Sequence, residues 1–228
     1  MSHYAVAVFS DEPSYDEFCR LLEPYDENDE SRYVFEPVTQ EELAEAWKKF
    51  LAQNPSWKYD TWLHEMYHEK DGAYGHWYNP HGYYDYYSID GRSYMFDLQE
   101  QIDSDEVEWP MWAKKSQIDW NSRGDDDRTE EELRNEWQKF SVEGDRFYSS
   151  KYYIERFGDE DTYVRQSMHP MVPYAFITPD GEWHAPGRVG WFALSDETPE
   201  SCDKYLAEWD DFILNAPDCY VSLVDCHI

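Results

Sequence analysis

Basic residues are scarce in this sequence. It has 19 Lys and Arg against 50 Asp and Glu, which gives a formal net charge of −31. A surface with this charge repels DNA, RNA and anionic membrane leaflets, because their phosphates carry the same sign. It attracts cations and basic protein surfaces. We therefore expect no direct binding to nucleic acid or to a membrane, and we expect the partner to be a basic protein or a metal ion.

Long apolar runs and cysteine pairs are also missing. No stretch approaches the roughly 20 apolar residues of a membrane-spanning helix. The first residues, 1–4, show no basic region followed by an apolar segment, so no secretory signal is predicted. No C-x-x-C pair occurs, which argues against a zinc ribbon or a redox motif. These features predict a cytoplasmic protein with reduced thiols. The four cysteines are Cys19, Cys202, Cys219 and Cys226.

Several common catalytic motifs are absent as well. The sequence has no G-x-S-x-G, no P-loop and no G-x-G-x-x-G, which are the patterns of acyl transfer and of nucleotide binding. A binding role is therefore favoured over an enzymatic one.

Apolar and aromatic residues, in contrast, are plentiful enough to build a core. The chain has 228 residues, of which 41% are hydrophobic and 18% aromatic. Disordered acidic segments are poor in aromatic residues, so this chain is expected to fold. With no fixed-period repeat and no Gly/Ser linker, it is predicted to be a single α+β domain over 1–228. We expect a mixed, mainly antiparallel sheet with packed helices, and a helical and irregular insertion around 97–168.

Periodicity and turn signals place the elements of this domain. The predicted strands are 4–9, 32–38, a hairpin over 83–96, 173–178 with 182–184 returning, and 220–225. The predicted helices are 14–22, 39–55, 59–68, 129–140, 145–157 and 198–214, with 71–82 as a loop. Capping boxes begin two of them, Thr39 with Glu42 and Thr129 with Glu132. The final strand is so apolar that it should lie in the centre of the sheet.

The acidic residues run through predicted folded segments and are not confined to a tail. One simple explanation for so many acidic residues is solubility, although a small domain needs a net charge of only about 2 to 8 for it. Adaptation to high salt is a second simple explanation. DNA carries one negative charge per roughly 1.7 Å of its axis, and rows of carboxylates can imitate that density. We therefore expect a DNA mimic that occupies a basic nucleic-acid channel, with another protein-binding role as an alternative. The acidic residues expected to contact the partner are Asp103, Asp105, Glu106, Glu108, Asp125, Asp126, Asp127, Glu130 and Glu131. Tyr84 and Tyr86 are expected to add aromatic anchors.

Six short motifs, spread over most of the chain, carry a resemblance to a known family. They are Met1–Val6, Pro24–Asn28, Tyr84–Arg92, Thr178–His184, Gly190–Phe192 and Val224–Ile228. Together they resemble a family of acidic phage, prophage and plasmid proteins of unsettled function. Members of that family tend to carry Gly-Gly-Arg and then Trp where this chain reads Asp90-Gly91-Arg92-Ser93. The resemblance implies a mobile-element origin. By association with small acidic phage proteins, it also implies an inhibitor of a host defence nuclease, such as a restriction enzyme or a CRISPR effector.

One motif favours an alternative function. His64-Glu65-Met66-Tyr67-His68 reads H-E-x-x-H, in which two histidines on one helix face bind zinc and the glutamate is the general base. His76, His81 or a downstream acid would have to supply a third ligand. The alternative is thus a zinc-dependent hydrolase with His64 and His68 as ligands, whereas the preferred binding role needs no cofactor.

A second polar group can form if the 83–96 hairpin lies beside the final strand. In that case Asp85, Asp90 and Arg92 approach Asp225 and His227. A carboxylate paired with an imidazole can do general acid–base work. The alternative is structural, with Arg92 and Asp225 as an ion pair and His227 as a polar chain end.

Overall fold

A computed structural model describes residues 3–53, 55–56, 58–68, 72–89, 111–123, 126–170, 172–188 and 195–228. Its strands are β1 His3–Ser10, β2 Val34–Pro37, β3 Tyr67–His68, β4 Ala73–Tyr78, β5 Tyr86–Ser88, β6 Ala113–Lys114, β7 Ala175–Ile177, β8 Trp183–His184 and β9 Tyr220–His227. Its helices are α1 Tyr15–Leu22, α2 Gln40–Gln53, α3 Tyr59–Met66, α4 Glu130–Glu143, α5 Ser150–Phe157, α6 Glu160–Met168 and α7 Pro199–Asn215. The α+β class with a mixed, mainly antiparallel sheet is confirmed.

Contacts within the chain group the residues into two compact units. The first comprises 1–23 with 83–228, and the second comprises 24–82. This division does not coincide with the insertion predicted at 97–168. Among the described residues, no helix is long and apolar enough to cross a membrane.

The first unit is built on a six-stranded sheet. Its strands follow the order β5-β9-β1-β7-β8, and β6 also pairs with β9. β1 runs antiparallel to β9 along its whole length and parallel to β7. The predicted central place of the last strand is therefore confirmed. Every residue of β1 from Tyr4 to Ser10 is buried, which explains why its sequence is a continuous apolar run and does not alternate.

The core of this sheet is aromatic. The Phe9 ring of β1 lies with its centroid 4.7 Å from that of Phe212 and 6.0 Å from that of Trp209. Phe176 of β7 is 6.4 Å away on a neighbouring strand. Residues of α7 therefore close over the sheet. Thr198 caps this helix, and Pro199 occupies its first turn as predicted.

Helices α4, α5 and α6 enclose a separate apolar cluster in the same unit, made of Leu133, Trp137, Tyr153, Tyr163 and Val164. The Thr129 capping box that begins α4 is confirmed. Helix α5 begins at Ser150, later than the predicted start at Asp145, because the Asp145 carboxylate accepts hydrogen bonds from the backbone N–H groups of residues 147 and 148. Such a side-chain-supported turn competes with helix. Helix α6 was not predicted from the sequence.

The second unit holds a small sheet in the order β2-β4-β3. The loop predicted at 71–82 was wrong, since 73–78 form β4. Gly75 was one of the residues that indicated a loop. It lies where a Cβ would collide with the Glu36 carbonyl and the Phe35 ring on the paired strand, and close backbone approach is a known reason for glycine inside a strand. The helix predicted to reach His68 ends at Met66.

Candidate functional site

Helices α4 and α6 bring two acidic stretches of the chain together. We call residues 126–136 and 159–161 the α4–α6 acidic surface. They contain nine Asp and Glu but only two Arg, Arg128 and Arg134. The two stretches are separated in sequence by α5, and α4 packs directly against α6. Clusters that look independent in the sequence thus form one surface.

Arg134 binds carboxylates from both stretches. Its Nη2 donates to Glu130 Oε1 over 2.8 Å. Its Nη1 donates to Glu160 Oε1 and Asp161 Oδ1, each over 2.9 Å. The hydrogen bond to Glu160, followed by those to Glu130 and Asp161, raises the pKa of this guanidinium, so it is permanently charged. One arginine therefore fixes the spacing of three carboxylates.

Arg128 organises the other end of the surface. Its Nη2 donates to Asp126 Oδ2 over 2.6 Å and its Nη1 to Glu136 Oε2 over 2.8 Å. The hydrogen bond from this side chain is the main cause that lowers the pKa of Asp126 to about 2. The hydroxyl of Tyr163, a member of the apolar cluster below, donates to the same Glu136 oxygen over 3.0 Å. The carboxylates are thus anchored to the helical core.

Part of this acidity has a purely structural role. Glu132 completes the α4 capping box, and Asp159 caps α6 by accepting from the Thr162 N–H over 2.8 Å. Negative charge in a first helical turn also suits the helix dipole. The remaining carboxylates are more than helix capping and the helix dipole require. The side chains of Glu130 and Asp161 are 62% and 86% exposed, and Asp127 and Glu131 are exposed as well.

The acidic residues expected to bind a partner have different outcomes. Asp126, Asp127, Glu130 and Glu131 lie on the α4–α6 acidic surface. Asp103, Asp105, Glu106, Glu108 and Asp125 lie outside the described residues. Glu160 and Asp161 were not among the predicted contacts, because nothing in their spacing signals that α6 returns to α4.

The two tyrosines expected to be anchors differ. Tyr84 is fully buried, and its hydroxyl donates to the Leu22 carbonyl over 2.6 Å. Its expected role as a partner contact was wrong, because the ring is buried in the core. Tyr86 is 64% exposed and remains available.

The second polar group forms where β5 pairs with the end of β9. Asp85 Oδ1 lies 2.5 Å from His227 Nδ1, and the β5–β9 register places Ser88 opposite Asp225. Asp225 Oδ2 in turn lies 3.0 Å from Nδ1 of His3, which the sequence reading had missed. The two imidazole rings are 5.0 Å apart. Asp90 and Arg92 lie outside the described residues.

The two nitrogens of the His227 ring lie in different surroundings. With Nδ1 of His227 facing a carboxylate, the neutral ring carries its proton on Nδ1 and presents a lone pair on Nε2. That Nε2 is buried and has no hydrogen-bond partner among the residues that the structure describes. Paired His and Asp side chains can serve as a general base or stabilise a sheet edge. The geometry alone fits both roles.

The H-E-x-x-H motif spans the end of a helix and the strand that follows it. Helix α3 ends at Met66, and His68 lies in strand β3. The side chains of His64 and Glu65 lie outside the described part of the protein, so His64 and His68 as zinc ligands stay a prediction. The His68 ring packs against Phe35, with centroids 5.1 Å apart. Among the described residues, no group of three or more His, Cys, Asp or Glu side chains is arranged to hold a metal ion.

Comparisons of the chain with protein-family models, with curated proteins and with solved structures found no match.

Proposed function

We propose that this protein is an acidic inhibitor of the phage type that binds and blocks a basic, nucleic-acid-handling protein in the host cytoplasm. The observation that carries the proposal is the α4–α6 acidic surface, where arginines hold two separate acidic stretches together in one fixed array.

The fixed geometry of this array supports binding. A flexible carboxylate loses side-chain entropy when a partner orders it. Arg134 and Arg128 have already ordered Glu130, Glu160 and Asp126 in the free protein. A preorganised row of negative charges thus resembles a nucleic-acid backbone more closely than an acidic tail does.

The sign of the charge selects the class of partner. Nine carboxylates against two arginines leave this surface strongly negative, and a negative field speeds the approach of a positive partner. A protein that binds DNA or RNA presents a positive channel of the required kind. Defence nucleases, such as restriction enzymes and CRISPR effectors, belong to this class. The resemblance to acidic phage, prophage and plasmid proteins supports the same choice.

The proposal is tested by affinity capture from a bacterial lysate on the immobilised protein, with and without nuclease treatment and at low and raised salt. We expect a nucleic-acid-binding protein that survives nuclease treatment and is released by raised salt or by competing duplex DNA. Capture of no such protein, or capture that duplex DNA does not reduce, would contradict the proposal.

A matched pair of variants assigns the binding to the surface. The test variant combines Asp127→Asn, Glu130→Gln and Glu131→Gln. The control combines Glu41→Gln, Glu45→Gln and Asp60→Asn, which remove the same charge from exposed positions of the second unit. Weaker capture by the test variant alone supports the α4–α6 acidic surface, and equal weakening of both indicates only the overall charge.

A further inference from the structure

A pocket of about 480 Å³ opens in the first unit and shares no lining residue with the α4–α6 acidic surface. Three segments form it: Asp11 after β1, the turn 178–182 between β7 and β8, and the end of α7 with the residues that follow it, 212–219. Pockets that bind specific ligands combine apolar walls with a few well-placed polar groups, and this one has both.

The walls and the rim of this pocket differ in chemistry. Phe212, Pro179 and Pro217 supply apolar walls. Asp11, Asp180 and Glu182 line the pocket and are exposed. Asp180 accepts a hydrogen bond from the Thr178 hydroxyl. Among the described lining residues there is no Lys or Arg. The basic ring nearest to these carboxylates is that of His184, whose Nε2 lies 3.9 Å from Glu182 Oε2.

The neighbouring cation, Lys115, is already engaged elsewhere. Its ammonium donates to the carbonyls of Ile213, over 3.0 Å, and of Ala216, where it satisfies the C-terminal end of α7. The same ammonium lies 5.8 Å from the centroid of the Phe212 ring, so this ring already contacts one cation in the folded chain. Cys219 also lines the pocket. Burial raises the pKa of its thiol to about 11, and the charge of Asp11 adds to that shift.

We propose that this pocket receives an arginine side chain from the basic partner, with the guanidinium reaching Asp180 and Glu182 and its plane stacked on Phe212. A guanidinium suits the site for two reasons. It forms bidentate hydrogen bonds with carboxylates, and it stacks on aromatic rings, whereas an ammonium is a compact and strongly hydrated point charge. The apolar stem of the arginine would lie against the two prolines.

The origin of this arginine rests on the proposed function, but the pocket is tested without a partner. Backbone amide spectra of the whole ¹⁵N-labelled protein are recorded during titration with N-acetyl-arginine amide. N-acetyl-citrulline amide, which has the same shape without charge, and N-acetyl-lysine amide are titrated in parallel. We expect saturable shifts for the arginine probe at residues 180–182 and 219, weaker shifts for lysine, and none for citrulline.

Variants decide whether these shifts belong to the pocket. Asp180→Asn with Glu182→Gln is expected to weaken binding of the arginine probe by about tenfold or more. The control, Glu41→Gln with Glu45→Gln, removes the same charge and should leave it unchanged. Equal shifts with citrulline, equal affinity for lysine, or equal loss in both variants would overturn the proposal. If the arginine probe does not bind in the pocket but the lysate capture succeeds, only the proposed arginine site is refuted. If the probe binds in the pocket but no partner is captured, only the proposed inhibitor function is refuted.

Discussion

The two sheets of this protein use aromatic strands in different ways. In the six-stranded sheet, β1 is buried at every position but its first, and β9 is buried at five of eight. In the three-stranded sheet, β2 has no buried residue and β4 has one, Gly75. Runs of Ala, Val and Leu thus mark the strands covered on both faces, whereas strands of Tyr, His and Trp stay partly exposed. Aromatic content alone does not reveal where the core lies.

The largest expected effect tests this contrast directly. Phe9→Ala removes a fully buried ring that contacts Phe212 and Trp209, and should lower the free energy of unfolding by about 3–5 kcal/mol. Phe35→Ala removes the same side chain from β2, where Phe35 is only partly buried, and should cost about 1.5 kcal/mol or less. Urea unfolding followed by circular dichroism measures both. Equal losses of unfolding free energy in the two variants would contradict the expected difference between the two sheets.

A smaller effect is expected at a close approach between two strands of the small sheet. Gly75→Ala places a methyl group against the Glu36 carbonyl and the Phe35 ring, so β2 and β4 must separate. Overpacking of this kind costs about 1–3 kcal/mol. Amide hydrogen exchange should show faster exchange at 34–36 and 73–78 and unchanged exchange in β1. Unchanged protection at 34–36 would show that the small sheet accommodates the methyl group without loss of stability.

The two capping boxes allow a matched comparison between the units. Glu42 Oε2 accepts from the Thr39 N–H over 2.7 Å, and Glu132 Oε2 accepts from the Thr129 N–H over 2.8 Å. Thr39→Ala and Thr129→Ala should each cost about 1 kcal/mol, measured by urea unfolding. Hydrogen exchange should assign the first loss to α2 and the second to α4. A loss above about 2 kcal/mol for either would mean that the cap does more than begin its helix.

The smallest expected effect is a pH dependence. Hydrogen bonds from the cap threonines, first of all from their backbone N–H groups, lower the pKa of Glu42 and of Glu132. A carboxylate with a lowered folded pKa stabilises the fold above its unfolded value, about 4.3, and loses this contribution as pH falls through the folded pKa. Glu132→Gln keeps a capping box but cannot ionise. Its stability should therefore decline less steeply below pH 4.3 than that of the unchanged protein, as acid titration of the unfolding midpoint will show.

Local chemistry in the sequence determined much of the fold. The apolar runs of β1 and β9, the boxes at Thr39 and Thr129, and the Pro199 helix start are all present, because each depends on a few neighbouring residues. The loop predicted at 71–82 failed because glycine signals a turn unless a partner strand demands close approach. The helix that was expected to include His68 failed because pairing with β4 competes with helix.

Only the tertiary structure decided the candidate sites. The negative charge and its sign are properties of the sequence, and the proposal of a partner with a positive surface starts from them. The union of 126–136 with 159–161, the meeting of His3 with Asp225, and the burial of Tyr84 depend on how distant segments pack. Packing is set by the combined burial of many side chains, and no local pattern around Arg134 indicates that its guanidinium will reach Glu160.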